Sequence, residues 1–141
     1  MINDGLKMTG AVAIALNGEV VQEIPNLVVT VGKNFVASRM KDTTKAAMTH
    51  MAIGTNSTTA AVGQTALSAE VARGALTSTT VSNNTIAYVE TFAAGTGTGA
   101  IVEAGVFNAS SSGDMLCRTV FAVVNKGSAD AMTITWTITV S

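Results

Sequence analysis

The side chains able to do chemistry in this chain are few and widely spaced. His50 is the single histidine and Cys117 the single cysteine. One histidine cannot build a zinc cluster, and Cys117 lies far from it along the sequence. Neither stands in the context of an activated nucleophile, so thiol chemistry requires folding to bring the two together. The simpler expectation for Cys117, between Met115 and Thr119 in an alternating run, is a reduced cysteine acting as a small hydrophobe. Glu90 and Glu103 fall on expected strands with apolar neighbours. Face to face they would form a carboxylate couple of the kind that cleaves glycosides. The alternative is an ion pair with Arg73 or Arg118, or exposure to solvent.

Other signals are weaker. Gly95-Thr-Gly-Thr-Gly99 resembles a phosphate loop in composition. A dinucleotide loop must open a helix, however, and the Ala100-Ile-Val-Glu-Ala that follows reads as strand. No Gly-Lys-Ser/Thr is present, so the segment is expected to be a flexible turn. Asp114 and Asp130 occupy turn positions, where a short carboxylate bonds nearby backbone. No Asp-x-Asp-x-Asp run offers calcium enough oxygens. Threonine-rich faces could hold sugars, but aromatics are only 4% of the chain. The expectation is no catalytic residue, no cofactor and no metal.

Composition bounds the class. The chain has 141 residues, enough for one domain with a real core. Charged residues are 12%, about half the usual share. Eight basic and nine acidic residues leave a net charge of −1, too little positive charge to bind nucleic acid by neutralising phosphates. Mean hydropathy is +0.42. A lone cysteine excludes a disulfide scaffold. The uncharged run at residues 46–69 is rich in Thr, Ser, Asn and Gly and reads as loop, not bilayer span. Met1-Ile2-Asn3-Asp4-Gly5 holds an acid and no basic stretch, so no secretory signal is expected. So sparse a charge leaves two readings: a surface solvated by hydroxyls and amides, or one largely covered by other subunits. We favour the second, because obligate interfaces are depleted of charge.

The elements that must position these residues are mostly strands. Residues 6–24 read as a β-hairpin: Met8, Val12, Ile14 and Leu16 share one parity, and Asn17-Gly18 is a strong turn signal. The returning strand is expected at a sheet edge, ending at Pro25. At residues 30–41 the period changes. Val31 with Phe35, and Val36 with Met40, define the apolar face of the main helix, with Thr30 as N-cap and Lys33, Arg39 and Lys41 outward. A short strand is expected at 48–54, a loop at 55–63 and one helical turn at 67–72. Strands follow at 73–82, 85–93, 100–109, 115–124 and 132–140, with a tight turn at Asn83-Asn84. In the last strand Met132, Ile134, Trp136, Ile138 and Val140 face one way and four threonines the other. The expected fold is mainly β: one domain over 1–141, an antiparallel β-sandwich or jelly-roll-like barrel with one main α-helix.

Several stretches carry a resemblance. They are Asn26-Leu27-Val28 with Gly32-Lys33-Asn34, Met51-Ala52-Ile53-Gly54-Thr55, and Thr65-Ala66-Leu67 with Glu70 and Arg73. Glu103-Ala104-Gly105-Val106-Phe107, Asn125-Lys126-Gly127 and Thr133-Ile134-Thr135-Trp136 complete the set. Together they resemble small structural proteins of tailed-bacteriophage virions, from about Asn26 onward. The resemblance is one of general cadence and brings no catalytic residues. It implies a head decoration (cement) protein, a homotrimer on the head exterior that bridges major capsid subunits and is assembled in the host cytoplasm. Its partners would be itself and the major capsid protein, with no nucleic acid and no membrane. The hairpin at 6–24 or the N-terminal residues would meet the shell or a neighbour. The alternative is a tail-fibre, collar or tail adaptor component; a small hydrolase is the weakest reading.

Overall fold

The computed structural model describes residues 5–41 and 45–141. Met1-Ile2-Asn3-Asp4, read above for a signal and as a shell contact, lies outside the described residues. The chain runs β1 (Met8–Leu16), β2 (Glu19–Pro25), β3 (Leu27–Val28), α1 (Thr30–Arg39), β4 (His50–Gly54), β5 (Glu70–Ala75) and β6 (Ser78–Ser82). It continues with β7 (Thr85–Phe92), β8 (Gly99–Phe107), β9 (Met115–Lys126) and β10 (Met132–Val140). One sheet has the order β2-β1-β10-β7-β6 and the other β3-β9-β8-β4-β5. Every strand pair is antiparallel. The two sheets pack face to face and stay open at their edges, so the architecture is the expected sandwich and not a closed barrel.

Alternation builds the core as the sequence analysis expected. Val12 and Ile14 of β1, Tyr88 and Phe92 of β7, and Ile134, Trp136 and Ile138 of β10 point inward from the first sheet. Met51, Ile53, Ile101, Val106, Cys117 and Phe121 meet them from the second. Asn17 and Gly18 take φ of 51° and 83°, the left-handed pair that a two-residue hairpin turn requires. β2 is the outermost strand of its sheet and ends at Pro25.

The helix forms where expected, with a different start and a different buried face. Its N-cap is Val29, and Thr30 is the first helical residue. No side chain caps it. Val29 is fully buried, and the Thr30 amide donates to the Val62 carbonyl at 2.8 Å, so the following loop caps the first turn. The buried positions are Gly32 and Phe35, whereas Met40 is 86% exposed. Gly32 fixes this rotation. A Cβ there would stand 2.0 Å from the Leu116 carbonyl oxygen, so only glycine lets α1 lie directly on β9.

Two further expectations are corrected. Residues 67–72 make no helical turn. Leu67 is buried, the Ser68 and Ala69 amides bond a carboxylate, and strand begins at Glu70. Residues 73–82 are not one strand either. They belong to β5 and β6, in different sheets. The switch takes one step: the Leu76 amide donates to Thr49, just before β4 of the second sheet, and the Thr77 amide to Val89 in the first.

Candidate functional site

The outer face of the second sheet carries a polar knot. Glu103 on β8 and Arg118 on β9 are both fully buried, and Arg118 Nη2 and Nε approach Glu103 Oε1 at 2.9 and 3.2 Å. The segment at 55–69 folds over them. Glu103 accepts the backbone amides of Asn56, Ser68 and Ala69 at 3.1, 2.9 and 2.8 Å. Arg118 Nη1 donates to the Thr58 carbonyl at 2.8 Å and to Gln64 Oε1 at 3.1 Å. A buried ion pair is tolerable only when its remaining hydrogen-bonding capacity is used, and here it is used by one loop. Gly54 makes room: a Cβ there would stand 2.5 Å from Glu103 Oε2.

Next to the knot lies a second, smaller apolar cluster of Val29, Ala52, Leu67, Phe107 and Met115. Arg73 closes it. Its guanidinium lies 3.8 Å above the Phe107 ring, is paired with Glu70 at 2.7 Å, and donates to the carbonyls of Ala109 and Ser112. Loop and helix together therefore cover a sheet face that would otherwise be solvated. This arrangement ties one part of the chain to another, the 55–69 segment to β8 and β9. A cavity of about 290 Å³ opens beside it between Asn26, Ser57 and Arg118, but the arginine's donors are already directed at Glu103, Thr58 and Gln64.

The residues with chemical potential are not brought together. Glu90 points into the sandwich from β7, where it accepts from Thr77 Oγ1 and the Thr91 amide, whereas Glu103 lies on the outer side of the other sheet. The carboxylate couple therefore does not form. Instead Glu103 takes Arg118, one of the two arginines expected. His50 shares a hydrogen bond with Thr49 Oγ1 and sits opposite Phe107. Cys117 is fully buried in the core, and burial pushes its thiol well above the usual range. The glycine loop at 95–99 leads straight into β8, with no helix after it. Asp114 pairs with Lys45 at 3.0 Å. Among the described residues no group of three or more His, Cys, Asp and Glu side chains could hold a metal ion. No described helix is long and apolar enough to cross a membrane.

Asp130 does the turn work expected of it. It accepts from Asn17 Nδ2 and the Gly127 amide, each at 2.8 Å. These bonds, the Asn17 one first, hold its carboxyl below the usual carboxylate range, with help from the charge of Lys126. A depressed carboxylate adds stability above its unfolded pKa and loses it as pH falls through the lower native value. Asn17→Ala should bring the Asp130 pKa back toward the ordinary range, as read by NMR titration of its side-chain carbonyl. A second expected result concerns Cys117. With its thiol sealed in the core, Cys117→Ser should leave the oligomer distribution in sedimentation unchanged, with or without reductant.

Sequence reasoning missed Lys126. It is 1% exposed and donates to the Ala93 carbonyl at 2.9 Å. The signal was available in its spacing, since Lys126 stands two positions past the buried Val124. A second feature, foreseen only as a charge deficit and a threonine-lined parity, is the outward face of the first sheet. Ala11, Ala13 and Ala15 on β1 lie beside Thr137, Thr135 and Thr133 on β10, which lie beside Ala87, Val89 and Thr91 on β7. Ser78, Thr80 and Ser82 of β6 extend the row. Among the described residues Glu23 is the one charge at these outward positions. No family model, curated protein or solved structure matches this chain. The face and the knot are thus the features on which a functional reading rests.

Proposed function

We propose that this chain is a structural protein of a tailed-bacteriophage virion, a head decoration protein that bridges major capsid subunits. The observation that carries the reading is the outward face of the first sheet, a broad plane of Ala, Thr, Ser and Val with one carboxylate. Such a plane can seat against an equally neutral surface over a wide area without an ionic register to satisfy. The resemblance supports it from the other side. Its residues Gly32, Gly54, Leu67, Arg73, Glu103 and Phe107 are the ones that brace the loop and the helix against the second sheet. On this reading the chain performs no catalytic step. It acts as a homo-oligomer, a trimer as the resemblance implies, on the head exterior after assembly in the host cytoplasm. Each trimer touches several capsid subunits, so modest contacts add up.

The test is copy number and place. Purified particles should contain the protein in numbers comparable to the major capsid protein, with its density on the head in cryo-microscopy. Particles lacking it should lose genome at lower temperature with the shell size unchanged. A low copy number with density confined to tail or collar would reject the head reading in favour of a tail adaptor.

A further inference from the structure

The edges of the two sheets are not built alike. β2 carries Glu19 and Glu23, ends in Pro25 and pairs with β1 through a register shift at Ile14/Ala15. β3 is two residues long. β5 carries Glu70 and Arg73, and its pairing with β4 shifts at Ile53/Gly54. Charge, proline, brevity and bulges are the devices by which proteins keep a strand edge from recruiting another chain.

β6 has none of them. Its sequence is Ser-Thr-Thr-Val-Ser, its register with β7 is unbroken, and no charged residue lies between Arg73 and Glu90. All five residues are exposed, on both faces of the strand, with Val81 at 69%. The backbone groups directed away from β7 are therefore open to a further strand.

The sequence of β6 also says which strand fits. It is nearly the same in both directions. An antiparallel copy centred on Thr80 places Ser78 opposite Ser82, Thr80 opposite itself, and Thr79 opposite Val81, a pair of the same branched shape. Thr–Thr and β-branched cross-strand pairs are favourable, and no like charges are opposed. The edges of β2 and β5 would bring carboxylates to the same contact. We propose that β6 pairs antiparallel with β6 of a second copy, joining two first sheets across a two-fold axis.

The inference needs only a second copy, so it stands apart from the virion reading. The contact differs from a three-fold interface and can link one trimer to the next. A five-residue edge buries far less than the roughly 800 Å² per partner of a stable complex, so the pair is weak in dilute solution. It strengthens where copies are held side by side.

Cysteine cross-linking captures such a contact. Thr80→Cys should form a disulfide-linked dimer under mild oxidation, and so should a mixture of Thr79→Cys and Val81→Cys copies. The two designs cover both kinds of antiparallel pair site. The parent protein should stay monomeric on a non-reducing gel, because Cys117 is buried. Adding Val81→Lys to Thr80→Cys should cut the dimer yield at least about tenfold while leaving the circular dichroism spectrum unchanged, since Val81 is exposed. Absence of cross-linked dimer in both designs, or equal yield with Val81→Lys, overturns the proposal. Failure to find the protein on phage heads would sink the virion reading and leave the cross-linking result as it is.

Discussion

Arg118→Ala is expected to destabilise the fold by about 3–5 kcal/mol, the cost of leaving one member of a buried ion pair without its partner. The variant strands the Glu103 carboxylate, which is fully buried and keeps only backbone amides as donors. It also removes the donor that holds the Thr58 carbonyl and Gln64, so the loop loses these anchors as well. Chemical denaturation should show the loss, and amide exchange should place it, with Asn56, Ser68 and Ala69 deprotected first. Glu103→Ala should cost a similar amount by the converse route. Combining Arg118→Met with Glu103→Leu should cost less than the sum of the single substitutions, because no charge is then left uncompensated. Additivity of the two would mean that the pair is not coupled.

Trp136→Ala is expected to cost about 3–5 kcal/mol through the cavity it opens. Trp136 is fully buried on β10, opposite Val12 on one side and Tyr88 on the other. It therefore sits in the middle strand of the first sheet, where no edge can relax into the void. Its indole Nε1 is buried and meets no protein hydrogen-bond acceptor. Trp136→Phe removes that donor and much less volume, and should lose well under half as much stability. An unchanged denaturation midpoint for Trp136→Ala would show that this face of β10 is not packed. Tyr88 reports on the same packing. Burial, and to a smaller extent Cys117, pushes its phenol up to about 12, and loosening the core should lower it.

What could be read from the sequence depended on how local the cause was. β10 was legible because its alternation answers to one buried face, and the Asn17–Gly18 hairpin because its turn chemistry is contained in two residues. The helix was legible by period but not by face. Its rotation is set by Gly32 meeting a carbonyl of a strand far along the chain, and nothing near Gly32 reveals that. The switch of sheet at Leu76–Thr77 left no mark at all, since neither residue is a turn former. The polar knot was half legible. Arg118 was among the partners foreseen for a glutamate, but the role of the loop as its lid depends on backbone amides, which carry no residue identity. The neutral outward face was foreseeable as a charge deficit and became a place only once the register aligned the alanines and threonines.

The pairing of β1 with β10 has a mechanical consequence. Met8 lies opposite Val140, and Lys7 and Ser141 exchange backbone hydrogen bonds at 2.7 and 2.8 Å. Tension applied between these two points acts across the strands. It opens the ladder one bond at a time, as a zip opens, because hydrogen bonds between antiparallel strands lie perpendicular to the strand direction. Load entering through the sheet face is instead shared by the whole ladder at once. A peptide or fluorophore anchored near Lys7 or Ser141 would tug at the start of that seam. The Asn17–Gly18 turn, at the far end of the same ladder, is held by Asn17 to Asp130 and Ala131 and is the sturdier handle.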